Sequence, residues 1–161
     1  MKPDWRKELS AALKPVQRLA ILGIGSPLKG DDAAGMMLIE ELNKRGLDKA
    51  GVLLIAGSSA PENFTGVIRE FAPGLLLAVD AARLGLEPGQ AALLSGEELY
   101  GAGFSTHMLP FSIMLQYLRR QGIVNVLLLG IEPQSTEFGL GLSTPVRRAV
   151  REAADFLAQE I

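Results

Sequence analysis

The chain predicts an α/β fold, a three-layer α/β/α sandwich around a twisted, mainly parallel five-stranded sheet. Apolar runs such as LAIL, LLLAV and VLLLGI are continuous rather than alternating, as in strands covered on both faces. Segments with helical spacing alternate with those runs along the chain, the pattern of βαβ units. Right-handed crossovers between parallel strands would then place helices on both faces of the sheet.

The elements follow in order. Asp4 can cap a helix over 5–13 that puts Trp5, Leu9, Ala12 and Leu13 on one face, and Pro15 stops it. A strand over 18–24 leads through a glycine-rich loop into a helix over 32–44, ended by Gly46. Residues 52–55 read as a second strand, 62–71 as a short helix and 75–79 as a third strand closed by Asp80. The connection from there to an apolar run over 91–94 is too short for a crossover helix, so that strand is expected to be antiparallel. One helical turn over 97–100, a helix over 110–121 and a buried strand over 124–131 follow. Thr144 as cap and Pro145 at the first helical position open the last helix.

At 161 residues the chain fits one domain, 1–161, with 1–17 as an accessory N-terminal helix. Apolar residues make up 48% and the formal charge is −2, which gives no electrostatic case for nucleic acid or anionic lipid as partner. The absence of cysteine removes disulfides, thiolate metal ligands and a cysteine nucleophile. The start, MKPDWRKELSAALKPVQ, is too charged for a signal-peptide core, and no window reaches the ~18 apolar residues of a membrane helix. A cytoplasmic protein with no membrane contact is expected.

The loop GIGSPLKGDDAAG has the placement of a phosphate loop but not its chemistry. Gly25 and Gly30 have Walker spacing, yet Asp31 and Asp32 stand where lysine and a hydroxyl belong. Two carboxylates would repel phosphate. The dinucleotide fingerprint fails at Leu28. An acid at a helix start is favoured by the helix dipole and free N–H groups. One of the pair, Asp31, is read as the cap, which leaves Asp32 free to face the crevice at the carboxyl edge of the sheet.

Asp80, at the end of LLLAVD, falls on the same edge, and His107 is the chain's single histidine. Each has a plain reading: Asp80 could bond loop amides, and a lone histidine is commonly incidental. Together Asp32, Asp80 and His107 would form a mixed oxygen and nitrogen donor set suited to Zn²⁺, Ni²⁺ or a similar divalent ion, with positions open to water or substrate. HExxH motifs are absent, and no GxSxG elbow supports a serine triad.

With GIGSPLKGDDAAG, GSSAPEN, VDA and STHMLP in that order, the chain closely resembles the [NiFe]-hydrogenase maturation endopeptidases, nearest to the branch that processes the large subunit of hydrogenase 3-type enzymes. The resemblance runs from about Leu19 through the C-terminal helix. It implies a mostly parallel sheet between helices and metal-binding, catalytic roles for Asp32, Asp80 and His107. It implies further that the partner is the hydrogenase large-subunit precursor, that nickel supplied by that precursor is recognised, and that a C-terminal extension is removed by a monomeric protease. Zinc or cadmium could take the same donors in vitro.

Two positions depart from the family pattern: Ser26 stands where Asn is usual, and Ala56 where Asp precedes the second loop. Alanine can neither bind metal nor move a proton. A non-catalytic, metal-sensing checkpoint that binds the precursor is therefore the competing expectation. Glu62 and Asn63, in the same loop, are candidates for positioning substrate or for forming the turn.

Overall fold

A computed structural model, which describes residues 4–101 and 109–161, shows five strands joined in one sheet. They are β1 (Leu19–Ile24), β2 (Val52–Ser58), β3 (Leu75–Ala81), β4 (Ala91–Ser95) and β5 (Val126–Ile131), in the spatial order β2-β1-β3-β5-β4. β2, β1, β3 and β5 run parallel, while β4 pairs antiparallel with β5. The short segment 82–90 accounts for that reversal, because it has no room for a helix to carry the chain back.

Among the described residues six α-helices accompany the sheet: α1 (Trp5–Leu13), α2 (Ala34–Lys44), α3 (Thr65–Phe71), α4 (Gly96–Gly101), α5 (Leu109–Arg120) and α6 (Thr144–Glu160). Successive strand residues point to opposite faces, so a strand covered on both sides must be apolar at every position. Leu19, Ile21, Leu75, Leu77 and Val79 pack into one core with Trp5 and Leu9 of α1, Leu38 and Leu42 of α2, and Val150 and Leu157 of α6. Their neighbours Ala20, Leu22, Leu76 and Ala78 pack into a second core with Ile68, Phe111, Met114 and Leu118 of α3 and α5. Among the described residues, no helix is long and apolar enough to cross a membrane.

From β1 the sheet extends to β2 on one side and to β3 on the other. The crevice of an open α/β sheet forms where the order reverses in this way, beyond the carboxyl ends of the strands. Two glycines let α2 press down beside that point. A Cβ built on Gly35 would stand 2.3 Å from the Val79 carbonyl oxygen and 2.5 Å from that of Ile24. On Gly23 it would stand 2.4 Å from the Gly35 oxygen.

Several element limits shift from the sequence reading. Asp32 lies in a 3-10 turn, Gly30–Ala33, and α2 begins only at Ala34. β2 runs on to Ser58 through a bulge: Gly23 pairs with Ala56 but Ile24 with Ser58, leaving Gly57 as the extra residue. β3 continues one residue past Asp80, which pairs with Gly130. Ser143, not Thr144, occupies the cap position of α6, so Pro145 falls one place further in.

Replacing Gly35 by alanine forces a methyl into backbone oxygens that cannot move aside. The variant should lose about 1–3 kcal/mol or more in urea unfolding, whereas alanine at Gly66, with open space around it, should leave packing intact.

Candidate active site

Asp32 and Asp80 come together at the switch point. β3 delivers Asp80 into the crevice, 3% exposed, and the 3-10 turn brings Asp32 over it. Gly25, at φ 123°, lies between them: a Cβ there would sit 1.9 Å from the Asp32 carbonyl oxygen and 3.2 Å from Asp80 Oδ1. Only glycine permits that approach. Asp32 is fixed from the loop itself, its Oδ2 accepting the Ser26 backbone N–H at 2.8 Å.

Asp80 is placed at a cost. Its Oδ1 is buried with no hydrogen-bond partner, alone in this among the buried side-chain polar atoms of the described residues. Burial pushes its carboxyl well above the usual carboxylate range, and the negative charge of Asp32 adds to the rise, against a smaller opposing pull from the Ala81 backbone N–H. A buried acceptor without a donor, facing a second carboxylate, is the environment that a cation or a shared proton would relieve.

Asp31 takes a different part from the one its position suggested. It is not the cap of a helix. Fully buried, its carboxylate reaches across to the loop before α6, accepting from the backbone N–H groups of Gln134 (2.8 Å), Ser135 (3.2 Å) and Ser143 (2.7 Å) and from the Ser143 hydroxyl (2.8 Å). The adjacent acids thus divide: Asp31 holds the crevice wall together while Asp32 faces Asp80. Glu132, also buried, plays a comparable structural part, its Oε1 accepting from the Leu84 and Leu86 N–H groups at 2.7 and 2.9 Å. Nothing in the polar loop over 132–143 signalled these partners at sequence level, since all but one of the donors to Asp31 are main-chain groups.

The end of β2 borders the same crevice, its Ser58 carbonyl accepting the Gly25 N–H at 2.8 Å. Ser58 itself sits at φ 53°, and its N–H meets the Met36 sulfur at 3.2 Å. Ala56 is exposed on this edge strand and brings no acid to the rim. Glu62 and Asn63 are exposed in a 3-10 turn, Pro61–Phe64, where their backbone groups bond Thr65 and Ala60. His107 lies outside the described residues. Among those described, no cluster of three or more His, Cys, Asp or Glu side chains is gathered for a metal; Asp32 and Asp80 form a pair.

This arrangement has relatives. A family model, the HycI hydrogenase maturation proteases, matches residues 36–160. The hydrogenase 3 maturation protease of Escherichia coli K12 is 34% identical over 131 residues, covering 81% of this chain and 82% of its own. The crystal structure of a [NiFe] hydrogenase maturation protease HycI from Thermococcus kodakarensis superposes with a TM-score of 0.88 at 29% identity, over 95% of this chain and 97% of that one. The solution structure of an endopeptidase HycI from Escherichia coli gives 0.74 at 31% identity, over 86% and 87%.

Two outcomes are expected of this geometry. Because the folded-state pKa of Asp80 is raised above its ordinary value of 3.8, the stability gained from the protonated form is fully present below that value and is lost as pH rises through the folded pKa. Asp80→Asn should therefore be about 1–3 kcal/mol more stable than the parent at neutral pH, with the difference shrinking toward pH 4 in thermal melts. Asp31→Ala should act oppositely, costing about 3 kcal/mol or more by stranding three backbone N–H groups, and should expose the amides of Gln134, Ser135 and Ser143 to hydrogen exchange.

Proposed function

Since the chain belongs to the hydrogenase maturation protease family, we propose that it is the endopeptidase that recognises nickel in a [NiFe]-hydrogenase large-subunit precursor and cuts off the precursor's C-terminal extension. The observation that carries this reading is the unpartnered, buried Oδ1 of Asp80 facing Asp32 at the switch-point crevice. Two carboxylates held this close favour a divalent cation between them. His107 would add the nitrogen donor. The nickel is cargo of the substrate rather than a resident cofactor, and zinc or cadmium would occupy the same donors in its place.

The chain's own residues bind and orient. The Ser26 N–H fixes the Asp32 carboxylate, and Gly25, lacking a side chain, lets the Asp32 turn close down beside Asp80. Hydrolysis needs a water whose proton is taken up by a carboxylate. Bound nickel would make that water more acidic and polarise the scissile carbonyl. The exposed methyl of Ala56 supplies no further acid, so the proton would pass to a carboxylate oxygen of Asp32 or Asp80 and from there to the leaving amine.

Incubating pure protein with nickel-loaded and nickel-free precursor, then weighing the products, tests this reading. Loss of the extension only with nickel is expected, and Asp32→Asn should reduce its rate by about 100-fold or more. A stable complex without loss of mass would instead mark a metal-sensing checkpoint, the reading favoured by the missing acid at position 56. Cleavage without nickel would remove the metal from the mechanism.

A further inference from the structure

The loop that carries Asp32 also carries a large apolar side chain turned to solvent, and it does not stand alone. Leu28 is 60% exposed, and Phe138 and Leu140, on the loop before α6, are 75% and 50% exposed. The two loops are stitched edge to edge. The Gly139 N–H donates to the Leu28 carbonyl at 2.9 Å, the Gly30 N–H to that of Leu140 at 3.1 Å, and the Asp31 N–H to that of Ser135 at 2.9 Å. Beneath them the Asp31 carboxylate gathers Gln134, Ser135 and Ser143. Gly30, at φ 53°, allows the closest passage, since a Cβ there would meet the Ser135 oxygen at 2.6 Å.

A single exposed leucine needs no explanation. Three large apolar side chains on adjoining, cross-braced loops are another matter, because the hydrogen bonds fix the backbone while leaving the side chains uncovered. We propose that Leu28, Phe138 and Leu140 form the docking surface for an apolar segment of the folded protein substrate, beside the bond to be cut. The inference rests on the protease reading above and names where that substrate sits. Continuity with the site selects this occupant. Leu28 and Asp32 share one short loop whose Ser26 N–H holds the Asp32 carboxylate at 2.8 Å, so a body seated on the patch is set in register with both acids. Of the charged residues along the two loops, Asp31 and Glu132 are buried and Asp32 belongs to the crevice, which leaves Lys29 and Glu137, of opposite sign, exposed beside the patch. Apolar contact, rather than net charge, must therefore supply the attraction. Such contact binds ground and transition states alike, and belongs to KM rather than kcat.

The test uses the purified large-subunit precursor of a [NiFe]-hydrogenase, with its C-terminal extension and nickel, against the full chain and two double variants. Phe138→Ser with Leu140→Ser should weaken precursor binding and raise KM by about tenfold or more, with kcat and melting temperature little changed. Ile113→Ser with Val124→Ser, exposed residues on α5 and before the amino end of β5, should change neither. Unaltered binding by the patch variant, with normal cleavage, would overturn the docking surface and leave the protease reading standing. Binding that depends on the patch but leads to no cleavage by the parent protein would do the reverse. If the patch variant instead converts a dimer to a monomer and binds precursor normally, the surface serves self-association and the inference falls.

Discussion

The close seating of α2 on the carboxyl ends of β1 and β3 is the constraint from which the rest follows. Gly23 and Gly35 remove the side chains that would separate helix from sheet, so the turn before α2 is drawn over the switch point instead of standing clear of it. Position 32 then lies opposite position 80. Alanine at either glycine would lift the turn by the width of a methyl group, and the two acids would part. The packing of a helix and the chemistry of a crevice are in this respect a single requirement.

Close approach also explains why two acids stand side by side. A carboxylate can brace a loop by accepting several main-chain N–H groups, or it can face a ligand, but one group cannot do both well. Asp31 is saturated by Gln134, Ser135 and Ser143. Asp32 accepts from Ser26 and is left with an oxygen toward Asp80. Asp80, which lacks any donor at Oδ1, carries the electrostatic tension of the site. Stability is given up at that residue, because a buried carboxylate oxygen without a donor is costly.

Most of the fold was legible because the strands are covered on both faces and therefore read as unbroken apolar runs. The antiparallel direction of β4 followed from the length of one connection. Asp32 and Asp80 were legible too, since acids at strand and loop ends stand out against such runs. What escaped was set by contacts across the chain. The 3-10 turn over Gly30–Ala33 replaces the expected first turn of a helix because Asp31 is pulled toward a partner loop. The bulge at Gly57 extends β2 through a segment that reads as turn-forming. The Ser143 hydroxyl is engaged by Asp31 rather than by its own helix, which hides its cap position behind the better local signal of Thr144 and Pro145.

The span of the Asp31 contacts has a temporal consequence. They join residues 103 to 112 positions apart, among the longest separations in the molecule, and closing loops of that length costs more chain entropy than forming a local contact. During synthesis the segment around residue 31 emerges long before its partners and must wait for them. The crevice wall therefore closes only once residues 134–143 have been made, and it ties the order of synthesis to the completion of the site.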